Sequence, residues 1–508
     1  MLELDGRSLR LLDVVAVADE GQHVTLAPSA RDRMRTTRAV VNKAVGAGVP
    51  VYGINTGFGK MSEITIANDQ LAALQRNLVR SHAAGVGDPL PEREVRAMML
   101  LRANVLATGF AGARPELVDA LLAMLNARVW PVVPEQGSVG ASGDLAPLAH
   151  LALAMMGEGL ACRGPRISDA IHAGDVLRSA GLTPVTLQAK EGLALINGTQ
   201  AHTAIAALAC AELWRLWHAA HVATAMSLEA LLGTPDAFDE RIQHARGQFG
   251  QQQSAAVLRA LLADSAIRES HRHNDARVQD AYALRCAPQV HGPAYDTLQF
   301  TQGLIERELN AATDNPLVME SGELLSGGNF HGQAVGMASD FLAIVSANLA
   351  VISERRTDRL VHPDFNQGLP PFLAGSPGLE SGFMMSQVTA AALASENKLL
   401  AHPASVDSIP TDGNKEDVVP MAMGAAVKLR RSVRNLRHVL AIELIAAAEG
   451  LEHRRPLQST VRLERAHERI RTLVAKQSGD RSPSPDIVKL AEAIAGGLLE
   501  PITEGILT

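Results

Sequence analysis

Apolar residues recur along the second half of the chain with the period of an α-helix. Spacings of four and three residues place one set on a single helix face: Ala338, Leu342, Val345, Leu349 and Ile352. This set predicts a helix over about 333–356. A second stripe predicts another long helix and comprises Val433, Leu436, Leu440, Leu444 and Ala447. Long helices with apolar stripes pack along their lengths, so we expect a helical bundle.

A third segment, residues 202–232, is apolar enough to be mistaken for a membrane span. Charged and histidine side chains interrupt it at Glu212, Arg215, His218, His221 and Glu229. Such interruptions are costly in lipid, so the segment predicts a core helix instead.

The first half of the chain is richer in turn-forming residues. Gly and Pro recur through 45–60, 85–91 and 131–147, a pattern typical of loops presented by a rigid helical body. We therefore expect a mainly α fold with two parts. Residues 1–200 form a loop-rich part with the active-site loops, and residues 201–508 form the long-helix bundle and the C-terminal helices.

Composition narrows the class of protein further. The 508 residues carry a net charge of −7, and no segment is basic enough to suggest a nucleic-acid or membrane surface. The three cysteines are far apart, which indicates neither a disulfide framework nor a cysteine metal site. Charged residues near the N-terminus leave no uninterrupted apolar core for a secretory signal, so we expect a cytoplasmic protein without a metal.

The segment 137–150 has the most specific chemistry. If the amide nitrogen of Gly143 attacks the carbonyl carbon of Ala141 and two waters leave, the product is 4-methylideneimidazole-5-one. Ser142 loses its hydroxyl to supply the methylene, and Gly143 permits the tight turn because it has no Cβ. Asp144 follows directly and could handle protons during this reaction. The chain is thus expected to make its own electrophile, with no external cofactor.

These residues belong to a series of motifs that resembles the aromatic amino acid ammonia-lyases, most closely those acting on histidine. The matching segments are 52–59, 77–87, 137–150, 190–200, 278–286, 328–331, 352–356 and 395–405. The resemblance implies an aspartase/fumarase-like helical fold and elimination of ammonia from an aromatic L-amino acid. It also implies a homotetramer in which three subunits build each active site.

The resemblance assigns a role to several side chains. Tyr52 would be the base that removes the β-proton, although a phenol needs activation because its ordinary pKa is about 10. Tyr282 would take part in proton handling, and Arg285 would clamp the substrate carboxylate with two parallel hydrogen bonds. Asn197 and Gln279 would help to orient the amino acid, and Phe330 would lie beside the methylideneimidazolone ring.

Two places indicate the substrate. His82 resembles the residue found in histidine-selective relatives, and Glu416 stands where those relatives bind the imidazole N–H. A carboxylate facing a phenyl ring would be desolvated without a partner, so Glu416 argues against phenylalanine. Lys415 departs from the pattern, and it could pair with Glu416 or bind an anionic group on a modified imidazole. Val418 and Ala281 also depart from it.

The sequence therefore predicts an ammonia-lyase that converts L-histidine to trans-urocanate. The residues leave open a tyrosine or phenylalanine ammonia-lyase, a 2,3-aminomutase with the same prosthetic group, and a lyase for a histidine derivative. A scaffold homologue without activity is disfavoured, because the residues expected to react are all present.

Overall fold

The computed structural model describes residues 1–48, 50–164, 166–273, 275 and 277–507. The chain forms two compact units, each assembled from three segments. Unit 1 comprises Met1–Ala211, Gln302–Asp340 and Pro403–Lys428, and unit 2 comprises Glu212–Thr301, Phe341–His402 and Leu429–Thr508. Unit 1 therefore holds all of the predicted N-terminal part together with later segments, and the division into 1–200 and 201–508 stays a prediction.

Short strands in unit 1 form small sheets. They are β1 (Leu2–Leu4), β2 (Val24–Leu26), β3 (Val86–Pro89), β4 (Val129–Pro131), β5 (Pro134–Gln136), β6 (Leu160–Arg163), β7 (Ile171–His172), β8 (Leu317–Val318) and β9 (Leu324–Leu325). The pair β1 and β2 is parallel, with Glu3 opposite Thr25. The pairs β3–β5 and β8–β9 and the three-stranded sheet β4–β6–β7 are antiparallel. These sheets fix the ends of loops in a part of the chain that the Gly and Pro pattern predicted to be irregular.

The N-terminal helices pack around one long helix that is buried over most of its length. They are α1 (Leu11–Asp19), α2 (Pro28–Ala47), α3 (Leu71–His82), α4 (Glu92–Ala107), α5 (Pro115–Asn126), α6 (Leu145–Met155), α7 (Ala173–Ser179) and α8 (Glu191–Ile196). Helix α4 packs against α1, α2 and α5, and its residues from Glu94 onward are buried. Its Arg102 donates to the carbonyls of Asn197 and Ala194, so a buried charge is used to hold backbone.

The remaining helices include several long ones. They are α9 (Gln200–Ala230), α10 (Glu240–Arg246), α11 (Phe249–Leu261), α12 (Ala266–Ser270), α13 (Tyr282–Arg285), α14 (Ala287–Leu309), α15 (Gln333–Val361), α16 (Met384–Leu400), α17 (Ala422–Glu452), α18 (Val461–Leu473), α19 (Ser484–Ala495) and α20 (Glu500–Thr503). All ten residues of the two predicted stripes are buried, at 7% exposure or less, on α15 and α17. Residues 202–230 of the segment 202–232 lie in α9 as predicted, and the last two residues form the turn that follows the helix.

Helix α15 also has the length and composition of a membrane-spanning helix. Its most apolar window is 72% buried within the structure. An apolar helix that packs against its own chain in this way is typical of a protein core.

A buried ion pair connects three of the long helices in unit 2. Arg356 on α15 donates two hydrogen bonds to Glu443 on α17, at 2.6 and 2.9 Å. Glu443 also accepts from Ser227 on α9, at 2.8 Å, and from Ser353, at 2.6 Å. Both charged side chains are inaccessible to solvent. A buried pair with its hydrogen bonds completed in this way fixes how the helices pack, and losing either partner would leave an uncompensated charge.

Two neutral histidines lie beside this pair. Their ring centroids are 4.6 Å apart, and His221 is hydrogen-bonded to Trp217 and Ser254. Burial lowers the pKa of His221 to about 3, and it lowers the pKa of His291 well below the usual range. Both ring nitrogens of His291 are buried without a hydrogen-bond partner. The folded chain therefore excludes a proton that the unfolded chain binds at mildly acidic pH.

We expect His291→Phe to make stability less sensitive to acid. Below about pH 6.5 the unfolded chain binds more protons than the folded one, so the free energy of unfolding falls as the pH falls. Each excluded proton contributes a slope of about 1.4 kcal/mol per pH unit. Equilibrium urea unfolding at pH 6 and pH 5 should show a smaller loss for the variant than for the wild type. His273→Phe, at an exposed position, is the control, and equal losses in all three proteins would contradict the prediction.

Candidate active site

The segment predicted to cyclise is a tight backbone turn in unit 1. Gly140 has φ +76° and Gly143 has φ +70°, both in the left-handed region. The two glycines pair with each other, and Gly143 also pairs with Gly198. A Cβ on Gly143 would lie 2.1 Å from the carbonyl oxygen of Gly198, so only glycine fits there. The amide of Asp144 donates to that same oxygen at 2.7 Å, which fixes the end of the turn.

Ser142 projects from this turn between two side chains that the sequence also singled out. Its hydroxyl donates a short hydrogen bond to Glu416 Oε1. Its carbonyl accepts from Asn197 Nδ2 at 2.9 Å. The other amide atom, Asn197 Oδ1, is buried without a hydrogen-bond partner, so it is free to accept a hydrogen bond from a bound molecule. Asn197 follows the last residue of α8, and Arg102 fixes its carbonyl.

A second tight turn delivers Glu416. Residues Thr411 and Glu416 pair across it, and Thr411 Oγ1 donates to Glu416 Oε2. Gly413 and Asn414 have positive φ inside the turn, as their residue types allow. The carboxylate therefore has one oxygen on Thr411 and the other on Ser142. Thr411 is a site residue that the sequence reasoning missed, although the Thr-Asp-Gly-Asn composition was a signal for the turn itself.

Tyr52 lies on a half-buried loop beside this second turn. Burial raises the pKa of its phenol, and the carboxylates of Asp412, Asp314 and Glu416 raise it further, while the amide of Gly59 opposes them by donating to the phenol oxygen. Asp412 is packed against Gly59, where a Cβ would lie 2.3 Å from Oδ2. The surroundings within one chain therefore favour the neutral phenol, which is the opposite of the activation that a base needs.

A cavity of about 1160 Å³ in unit 1 joins these groups. Of the predicted site residues, those that line it are Tyr52, His82, Ala141, Ser142, Asn197, Phe330, Lys415 and Glu416. Gly143 is the buried end of the turn beneath the lining. His82 Nδ1 lies 2.9 Å from the carbonyl oxygen of Leu78, which orients its ring. Among the described residues, no group of His, Cys, Asp and Glu has the arrangement of a metal site.

Three predicted site residues are elsewhere, in unit 2. Tyr282 is 70% exposed and begins α13. The guanidinium carbon of Arg285 lies 4.6 Å from the Tyr282 ring centroid, as in a cation–π contact. Gln279 is exposed nearby in sequence. None of these three is among the residues that line the cavity of unit 1.

Asp144 and His202 form a buried pair behind the turn. The Nδ1 atom of His202 lies 2.9 Å from Asp144 Oδ1, and both side chains are inaccessible to solvent. The sequence reasoning identified Asp144 but not His202, because nothing local to the start of α9 indicates that its third residue meets a residue 58 positions earlier.

The chain matches one family over most of its length. The model for the aromatic amino acid lyase family matches residues 9–472. A histidine ammonia-lyase from Anaeromyxobacter dehalogenans (strain 2CP-C) is 54% identical over 505 residues, covering 98% of this chain and 99% of that protein. A histidine ammonia-lyase from Koribacter versatilis (strain Ellin345) is 50% identical over 512 residues, covering 98% of each.

Solved structures show the same fold. The histidine ammonia-lyase of Trypanosoma cruzi superposes with a TM-score of 0.92 at 42% identity, covering 100% of this chain and 96% of that one. A tyrosine aminomutase from Streptomyces globisporus has a TM-score of 0.93 at 35% identity, covering 99% and 98%. The mainly α-helical fold predicted from the sequence is thereby confirmed.

We expect Gly143→Ala to prevent cyclisation of the Ala141–Ser142–Gly143 segment. The added Cβ would meet the Gly198 carbonyl and would also be strained by the positive φ. Once the CH2 that the substitution adds is subtracted, peptide mass spectrometry should find the segment 137–150 two waters heavier in the variant than in the wild type. Gly46→Ala is the control because a Cβ at that position has open space. A variant segment as light as that of the wild type would contradict the prediction.

Proposed function

The chain belongs to the aromatic amino acid lyase family and is a carbon–nitrogen lyase, and we propose that it eliminates ammonia from L-histidine to give trans-urocanate. Family and enzyme class confirm what the motifs predicted. Histidine as the substrate rests on the cavity wall and on the relatives named above.

The observation that supports histidine best is the position of Glu416. Its Oε1 accepts from Ser142 Oγ, the oxygen that leaves as water if the Ala141–Ser142–Gly143 segment cyclises. Loss of that hydroxyl leaves Oε1 at the cavity without its donor, while Thr411 still holds Oε2. A half-buried carboxylate oxygen without a partner is costly, and an imidazole N–H can supply the missing hydrogen bond whereas a phenyl ring cannot.

The chain's own residues fit the methylideneimidazolone. The turn brings the Gly140 and Gly143 backbones together, and the space beside Gly143 excludes a Cβ. Asn197 Nδ2 holds the Ser142 carbonyl in place at 2.9 Å. The methylene of this group would capture the substrate nitrogen and make it a better leaving group, which amounts to covalent catalysis with the electrophile on the enzyme.

Around that group the side chains divide the remaining work. Tyr52 removes the β-proton, and Asn197 Oδ1 accepts a hydrogen bond from the amino acid. Phe330 lies beside the methylideneimidazolone ring. His82 and Lys415 line the same cavity and contact the rest of the substrate. The carboxylate oxygens of Glu416 have their partners in Ser142 and Thr411, so neither is engaged by Lys415 through the bonds described.

We propose that Gln279, Tyr282 and Arg285 come from other copies of the chain in a homotetramer. Arg285 would bind the substrate carboxylate, and Tyr282 would take part in proton transfer. The acidic surroundings of Tyr52 support this proposal. Three carboxylates raise the pKa of its phenol, although a phenol that acts as a base has to lose its proton. A cation from another copy would counter them. Cytoplasmic location also remains a prediction.

The decisive experiment offers the purified protein L-histidine, L-tyrosine, L-phenylalanine and a thiolated histidine betaine in separate reactions. Urocanate absorbance and released ammonia with histidine alone would support the proposal. A β-amino acid product without ammonia would indicate an aminomutase. Release of trimethylamine from the betaine, with no product from histidine, would assign Lys415 to an anionic group on a modified imidazole. No product from any of them would contradict the histidine assignment.

We expect Glu416→Gln to lower kcat/KM for histidine by about 10- to 100-fold, because a hydrogen bond to a charged group contributes about 1.5–3 kcal/mol. The two-water mass loss should persist, which separates substrate binding from cyclisation. Asp407→Asn removes an exposed charge from the same segment and serves as the control. Equal kcat/KM values for the variant and the wild type would remove the main argument for histidine.

We expect Asp412→Asn to move the acidic limb of the kcat/KM profile to lower pH. Asp412 raises the pKa of Tyr52, so removing its charge lets the phenol lose its proton more readily. Rates with histidine between pH 6 and pH 10 would test this, again with Asp407→Asn as the control. A limb that stays in place, or moves to higher pH, would show that Tyr52 does not set it.

A further inference from the structure

The Asp144 carboxylate is a fully buried junction between the reactive turn and the start of α9. Four donors converge on it: Ser138 Oγ at 2.7 Å, His202 Nδ1 at 2.9 Å, and the backbone amides of Ala201 and His202, each at 2.9 Å. Ser138 Oγ in turn accepts from the amide of Gly140 at 3.1 Å. Asp144 therefore ties together the residues before the turn, the residue after it, and a helix N-terminus.

The carboxylate is in its charged form at neutral pH. Burial by itself would raise the pKa of Asp144, but the interaction with His202, whose ring and backbone amide both donate to the carboxylate, and the hydrogen bond from Ser138 hold that pKa below its usual value. An ionised group with every acceptor position in use acts as a fixed anchor. His202 supplies two of its four donors, one from the backbone and one from the ring.

The other side of the His202 ring packs under the opposite wall of the turn. A Cβ on Gly332 would lie 2.7 Å from His202 Nε2, so the ring lies directly against the Gly332 backbone. The amide of Gly332 donates to the carbonyl of Gly140 at 3.0 Å. His202 thus contacts both groups that hold Gly140, namely Asp144 through Ser138 and the backbone of Gly332.

The ring uses only one of its two nitrogens. His202 Nε2 is buried and has no hydrogen-bond partner, while Nδ1 is bound to Asp144. A buried polar atom without a partner lowers stability, so an apolar side chain of the same size would fill this space at less cost. Unlike such an apolar side chain, the histidine donates a hydrogen bond from Nδ1 to Asp144.

We propose that His202 is a positioning residue for the cyclisation of Ala141–Ser142–Gly143 and acts through Asp144. This inference rests on the proposed function. In the reaction a bond forms between Gly143 N and the Ala141 carbonyl carbon. The carbonyl oxygen leaves as water with the amide hydrogens of Gly143 and Ser142. The second water takes the hydroxyl of Ser142 and its Cα hydrogen.

The anchor matters because the new bond joins two backbone atoms that must be held close together. Asp144 fixes the chain directly after the attacking nitrogen, and through Ser138 it fixes the chain before the carbonyl. A misplacement of about 1 Å can slow such a step by about 10²-fold. Removing the His202 ring donor would let the carboxylate turn away from Ser138 and loosen both ends of the turn.

The test is a time course of cyclisation in newly made protein. Full-length wild type, His202→Phe, His202→Asn and His202→Gln are synthesised in a cell-free system, and the mass of the segment 137–150 is followed. Asn presents an amide N–H where histidine has Nδ1, whereas Gln presents it where histidine has Nε2. We expect the loss of two waters to be at least 10-fold slower in the Phe and Gln variants and close to the wild-type rate in the Asn variant.

Controls separate positioning from a general effect on folding. His218→Phe changes a histidine of the same helix α9 in unit 2 and should cyclise at the wild-type rate. Thermal unfolding of each variant reports whether it is folded. If His202→Phe unfolds at the assay temperature, the comparison between Asn and Gln decides, since both substitutions shorten or reshape the side chain but only one replaces the Nδ1 donor.

A double substitution tests whether Asp144 is the intermediary. If His202 acts through Asp144, His202→Phe should slow cyclisation no further in an Asp144→Asn background. In the slowed variants the rate of histidine elimination per cyclised chain should equal that of the wild type, because His202 does not contact the substrate.

The outcomes remain distinguishable. A wild-type chain that never becomes two waters lighter would overturn the proposed function itself. A wild-type chain that cyclises together with an equally fast His202→Phe or His202→Gln would leave the function standing and overturn this inference. Additive slowing by the two substitutions would show that His202 does not act through Asp144.

Discussion

The contact between the backbones of Gly143 and Gly198 is the constraint on which the site depends. With 2.1 Å between the Gly198 carbonyl oxygen and the place of a Cβ, the turn can be closed only by a residue with no side chain. That closure points Ser142 into the cavity and leaves Asp144 at the start of α6, where it meets the first turn of α9. Two helix N-termini and a second turn, 411–416, are thereby fixed around one short segment. The surrounding helical scaffold, with its buried α4 and Arg102, holds that arrangement in place, as the proposed cyclisation would require.

The charges around the cavity indicate which groups unit 1 supplies and which charge the site would need from elsewhere. Unit 1 contributes acceptors: the carboxylates of Asp314, Asp412 and Glu416 lie near enough to Tyr52 to raise its pKa. Lys190 forms an ion pair with Asp314, and both of these side chains are buried. Under the proposed function, a base in such surroundings needs a cation that binds with the substrate or comes from a neighbouring copy. Arg285, stacked on the exposed Tyr282, has the chemistry for it.

Much of this was available in the sequence, for identifiable physical reasons. The stripes of α15 and α17 repeat with the helical period, so their burial could be predicted from spacing alone. The segment 137–150 could be singled out because the cyclisation predicted for it depends on three adjacent residue types. His202 and Thr411 could not be predicted in this way, because their roles come from contacts across 58 residues in one case and from a left-handed turn in the other. Tyr52 was identified, but the rise in its pKa depends on carboxylates more than 260 residues away along the chain, whose proximity no local pattern encodes.

Under the proposed function, Glu416 connects the cyclisation of the turn to the choice of substrate. Its Oε1 accepts a hydrogen bond from the hydroxyl that cyclisation would remove, so the carboxylate has its donor before that reaction and would lack it afterwards. Thr411 keeps the second oxygen in place throughout, so the group does not have to move. Under the proposed function, cyclisation thus leaves Glu416 ready to bind the substrate. The imidazole N–H then donates the hydrogen bond that Ser142 donated before cyclisation.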